Sequence, residues 1–66
     1  MKLTEEQKDI LEELISGSTN QQIADKTGYC ERSIKRKIKH LFNTFNVKNR
    51  SSLVREAIIA KSNGII

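Results

Sequence analysis

The sequence predicts a small all-α domain of four helices, with a long basic helix at its centre. Three observations carry that prediction. Apolar residues recur at helical spacing in successive stretches, each opened by a capping residue. Proline is absent, and β-branched and aromatic runs are missing, which suits helices better than a sheet. The stretch from Cys30 to Asn46 separates an apolar rear from a cationic front. At about 100° per residue, Ile34, Ile38, Leu41 and Phe45 share a narrow arc with Phe42 at its edge; Arg32, Arg36, Lys39 and Asn43 lie opposite, flanked by Lys35 and His40.

The first helix is expected at about 5–16. Thr4-Glu5-Glu6-Gln7 reads as a capping box, with Glu5 and Glu6 at the positive end of the helix dipole. Ile10, Leu11, Leu14 and Ile15 make its stripe, and Ser16-Gly17 ends it, Gly17 being able to take the left-handed conformation. A second capping box, Thr19-Asn20-Gln21-Gln22, opens a short helix at 20–27 with Ile23 and Ala24 inward. Gly28 then supplies a sharp turn, with the Tyr29 ring expected to pack under it. A short helix, a tight turn and a second helix form a helix-turn-helix, whose second member enters the major groove of DNA. That member spans 31–45 and ends near Asn46, after which Val47 returns to the core. Asn49 caps a last helix at about 50–61, carrying Leu53, Val54, Ala57, Ile58 and Ala60. Ser62-Asn63-Gly64 breaks it, and an apolar Ile65-Ile66 tail follows without an assigned place.

Sixty-six residues make a single domain, 1–66, too small for a cleft walled on several sides. Met1 stands so close to the first capping box that it reads as a natural start. Catalysis fails on inventory. His40 and Cys30 are the sole histidine and cysteine, about 15 Å apart along a helix, with no supporting ligands. No catalytic residue, metal or cofactor is expected. The apolar runs are too short to span a membrane, and the single cysteine suits a reduced, cytoplasmic protein.

The net charge of +4 is unevenly spread. Residues 1–30 carry three lysines against six acids, a net −3; residues 31–66 carry nine Lys or Arg against two acids, a net +7. Five of the eight residues from Arg32 to Lys39 are cationic. Like-charged i,i+4 pairs such as Arg32/Arg36 and Lys35/Lys39 oppose the helix by roughly 0.2–0.5 kcal/mol each. An anionic partner is the reason to keep them, and the footprint is that of a nucleic-acid binder. A membrane-surface helix would need its apolar face free for lipid, and here the core needs it.

The chain resembles the LuxR/GerE-type helix-turn-helix domain of bacterial transcription regulators, in register from Leu3 to about Ile58. Leu3-Thr4 and Ile10-Leu11 match its opening. Gly17, Thr19-Asn20 and Ile23-Ala24 fall at its "G-x-S/T-N-x-x-I-A" spacing, and Ser33-Ile34-Lys35 takes the place of its Thr-Val-Lys. Val47, Arg50 and Val54 repeat its "V-x-x-R-x-x-x-V" ending. The resemblance implies a DNA-binding dimer paired through the last helix, with Lys35 as a phosphate anchor and Arg36 as a base-reading position. It also implies likeness to the small stand-alone members. Four departures stand out. Cys30 replaces a serine N-cap, so the basic helix is expected to start one residue late or to be less firmly capped. Lys37 replaces a frequent histidine, Thr27 a leucine that would pack under the turn, and Glu6-Gln7 an Arg-Glu that often makes an ion pair.

The expected function is sequence-specific binding of double-stranded DNA by a transcription regulator. Arg32 and Arg36 are the candidates to read guanine, because an arginine fork bonds O6 and N7 together. Phosphate contacts are expected from the helix start at Thr19 and Asn20 and from Lys35, Lys37, Lys39, His40, Lys48 and Arg50. Val54, Ile58 and Lys61 are the expected dimer interface, the rival cover being the Ile65-Ile66 tail folded back over Val54 and Ile58. RNA polymerase or a larger regulator would be further protein partners. The rival function is an interaction module that pairs with, or blocks, a larger regulator of the same family.

Overall fold

The computed structural model describes residues 2–66. Among them the chain forms four helices and no strand: α1 (Glu5–Ile15), α2 (Asn20–Thr27), α3 (Glu31–Phe45) and α4 (Arg50–Ser62). Each boundary has a local cause. At α1 the Gln7 amide donates to Thr4 Oγ1 at 3.1 Å, and the Thr4 amide donates to Gln7 Oε1 at 2.9 Å. Thr19 and Gln22 repeat that exchange at α2, at 3.1 and 2.8 Å. At α4 Asn49 Oδ1 accepts from the Ser52 amide at 2.8 Å. Only α3 lacks a side-chain cap. It starts on time at Glu31, but Cys30 at the N-cap makes no capping bond.

The helix ends use left-handed residues. Gly28, at φ 82°, turns α2 into α3, a conformation that strains any residue bearing a Cβ. Asn46 does the same for α3 at φ 55°, and the Val47 amide then reaches back to Phe42 O at 2.9 Å. Helix α1 stops at Ile15, with Ser16 at the C-cap, and α4 runs one residue past the expected end.

Helix α3 packs chiefly on α2 and α4, and α1 closes against α4 and the side of α3. Ile34, Ile38 and Leu41 of α3 are buried with Ile10, Leu11 and Leu14 of α1. Ile23 and Ala24 from α2 and Leu53 and Ala57 from α4 complete the centre. These are the inward stripes of the sequence pattern. Phe42, Phe45 and Val47 are partly buried against them.

Two placements differ from expectation or add to it. Tyr29 is not tucked under the turn; it is 40% exposed and packs its ring beneath the Lys37 ammonium. Its hydroxyl gives the aromatic ring a polar partner at the surface, which an apolar berth would not. The Ile65-Ile66 tail lies half-buried against the core, its turn closed by the Ile65 amide on Ala60 O at 2.9 Å. Ile58 nevertheless stays 49% exposed, so the tail does not cover it.

Candidate nucleic-acid interface

The turn at Gly28 leaves the outer side of α3 free along its length. Arg32, Lys35, Arg36, Lys39 and His40 are all exposed there. Arg32, Arg36 and Lys39 lie within about 60° of one another, opposite the buried arc. Among the described residues none of Arg32, Lys35, Arg36 and Lys39 forms a salt bridge. Four other lysines behave differently. Lys8 pairs with Glu5 at 3.6 Å, Lys26 with Glu13 at 3.0 Å, Lys37 with Glu6 at 2.7 Å and Lys61 with Glu12 at 3.0 Å. All four acids belong to α1. That helix therefore neutralises one lysine on each of the other three helices and leaves the front of α3 uncompensated.

Helix α2 adds a second feature. Its capping box occupies the Gln22 amide, and among the described residues the Asn20 and Gln21 amides at the helix start have no hydrogen-bond partner. Two backbone donors at a helix N-terminus form an anion site. Thr19 is exposed beside them, its hydroxyl oxygen already accepting the cap bond. The Asn20 side chain is partly committed: its Oδ1 accepts from the Arg50 guanidinium at 2.6 Å. Arg50 also donates to Ser18 O at 2.7 Å. Half-buried, Arg50 is a brace between the start of α4 and the start of α2, and not the free cation expected from the sequence. Lys48, in the α3–α4 connection, is exposed.

Lys37 also sits differently from its neighbours. Its ammonium is 2.7 Å from Glu6 Oε1 and 4.5 Å from the centre of the Tyr29 ring, and the Tyr29 hydroxyl donates to Glu6 Oε2. Lys37, then the Tyr29 phenol, hold the Glu6 carboxyl below the usual carboxylate range; Glu6 in turn raises both Lys37 and Tyr29. The expected loss of an ion pair at Glu6-Gln7 is thus offset, because the two departures at Glu6 and Lys37 pair with each other. Their opposite signs were the available signal, but 31 residues separate them. Thr27, the third departure, donates its hydroxyl to Ile23 O at 2.8 Å. At the fourth, Cys30 Sγ lies 3.4 Å from Ser33 Oγ, a contact that lowers the thiol pKa.

On α4, Val54 is half-buried and Ile58 exposed, whereas Lys61 reaches Glu12 of its own chain. Ile59, 45% exposed, is an apolar residue that the sequence pattern did not single out. The described residues include no metal-binding cluster and no helix long and apolar enough to cross a membrane.

A family model described as bacterial regulatory proteins, luxR family, matches residues 1–57. The chain is similar to the transcriptional regulatory protein ComA of Bacillus subtilis, 42% identical over 57 residues, which cover 86% of this chain and 25% of that protein. It thus spans about a quarter of the length of this curated relative. No solved structure gives a significant match.

Proposed function

The chain belongs to the LuxR family of bacterial regulatory proteins, and from that premise we propose that it acts on DNA as a homodimer bound to paired half-sites. The family is one of DNA-binding transcriptional regulators, not of enzymes. In the proposed complex α3 lies in the major groove. Arg32 and Arg36 read guanine edges, while Lys35, Lys39, His40 and Lys48 meet phosphates. The free amides of Asn20 and Gln21 hold a further phosphate as α2 crosses the backbone. Arg50 keeps that helix start in place. The protein works in the bacterial cytoplasm, where its target is.

The observation that supports this reading best is the contrast in pairing. Lys8, Lys26, Lys37 and Lys61 sit on α1 carboxylates, but among the described residues the four outward cations of α3, Arg32, Lys35, Arg36 and Lys39, form no salt bridge. A module that only paired with another regulator would have no use for that uncompensated front. Homodimerisation rests on Ile58, exposed on α4, and the adjoining half-buried Val54 meeting their copies across a two-fold axis. Burying about 200–300 Å² there contributes only about 5–8 kcal/mol before association entropy is subtracted. The free dimer is weak, and half-sites about one helical turn apart strengthen it.

Selection of bound duplexes from a random pool tests the reading. The expected result is an enriched motif with two related halves. A pool that enriches nothing, although the protein is folded, would contradict sequence-specific binding and favour the interaction module.

A further inference from the structure

Lys37 is one of five cations between Arg32 and Lys39, yet it differs from the other four in direction and in company. At about 100° per residue it falls on the flank of α3 that turns toward α1, not on the outward front. Its ammonium is held from two sides, by Glu6 Oε1 at 2.7 Å and by the Tyr29 ring at 4.5 Å. Tyr29 closes the arrangement by donating to the second oxygen of Glu6. One cluster thereby ties the first turn of α1, the turn before α3 and the body of α3. Glu6 and Lys37 also line a shallow groove between α1 and α3 together with Arg36 and His40. The captured ammonium therefore borders the cationic front without belonging to it.

We propose that Lys37 is a positioning residue and not a phosphate contact, and that Glu6, by holding it, withdraws one positive charge from the DNA-facing surface and limits sequence-independent binding. Sequence-independent affinity grows with every phosphate neutralised, whatever the bases. A fifth free cation beside Arg36 would raise binding to all duplexes alike without adding to the preference for a chosen site. The Tyr29 ring favours the held state, because a cation over an aromatic face is attracted to it. Carboxylate, ammonium and ring leave α3 anchored to α1 at mid-length, which fixes how its front is presented. This proposal rests on the DNA-binding reading above.

The test is the salt dependence of binding to a random-sequence duplex, measured for the parent, Glu6→Gln and the double variant Glu6→Gln/Lys37→Met. Released from Glu6, Lys37 adds one contact. The log–log slope of Glu6→Gln should steepen by about 0.9, so that it loses about 3.5-fold more affinity than the parent between 50 and 200 mM salt. The double variant should return to the parent's slope. Should Glu6→Gln keep the parent's slope, Glu6 withdraws no charge from the DNA-facing surface; should the double variant be shallower than the parent by about 0.9, Lys37 already contacts phosphate; either result overturns the proposal while DNA binding stands. A folded parent with no salt-dependent binding would remove the DNA-binding reading itself, and this proposal with it. Circular dichroism checks that each variant is helical, and Glu6→Ala, read in the same way, replaces Glu6→Gln if the glutamine disturbs the fold.

Discussion

Arg36 and Lys35 are neighbours in sequence but stand about 100° apart on α3, and the difference underlies the separate roles proposed for them. Arg36 points from the centre of the exposed front, where a planar fork can meet a guanine edge. Lys35 is on the flank, a point charge suited to the backbone. Arg36→Ala should therefore cost about 1–3 kcal/mol on the selected site and relax preference at one base pair. Lys35→Ala should weaken all duplexes alike and reduce the salt slope by about one. Binding curves on specific and random duplexes separate the two; equal losses on both for Arg36→Ala would make it another phosphate anchor. Cys30 offers a check on the fold. It stands at the N-cap of α3 without a capping bond, so Cys30→Ser should supply one and raise the urea midpoint. An unchanged midpoint would show that α3 is held by its packing alone.

Helix α1 is the element on which the electrostatics turn, since its carboxylates hold one lysine on each of α2, α3 and α4. Two of them have a definite pH signature. Lys37 and Tyr29 lower Glu6; Ser18, donating at 2.7 Å, and Lys26 lower Glu13. A carboxylate lowered in the folded state stabilises it above the unfolded value of 4.5, and that contribution disappears as pH falls through the folded value. The melting temperature should hold above pH 5 and drop as pH falls below 4.5, and Glu6→Gln should make that drop smaller. A parent and variant with parallel pH profiles would contradict the role given to Glu6. The helices themselves were legible because their causes are local: Thr4 with Gln7, Thr19 with Gln22, and Gly28 at the turn act within a few residues. The pairings Glu6–Lys37 and Asn20–Arg50 were not, for they depend on how helices cross some 30 residues apart. Tyr29 was misplaced for the same reason. Its ring suggested burial, but its hydroxyl and the nearby ammonium determine where it lies.

At the scale of the whole molecule, charge is sorted into an acidic side that ties the helices together and a cationic side left open. The apolar residues are sorted too. The core takes Leu53 and Ala57, and Ile58 stays exposed on α4 although the tail packs against the core. Ile58→Asp should leave the helical circular dichroism intact, abolish self-association in sedimentation, and weaken binding to paired half-sites far more than to one. Undiminished binding to paired half-sites would put the dimer contact on another surface. The central claim, that the α3 front and the start of α2 face DNA, is tested most directly by titrating the isotope-labelled protein with duplex DNA and following its backbone amide resonances. The largest shifts should fall at Asn20, Gln21 and from Arg32 to His40, with Glu12, Glu13 and the middle of α1 unmoved. Shifts centred on the acidic side of α1, with Arg32, Arg36 and Lys39 unaffected, would contradict it.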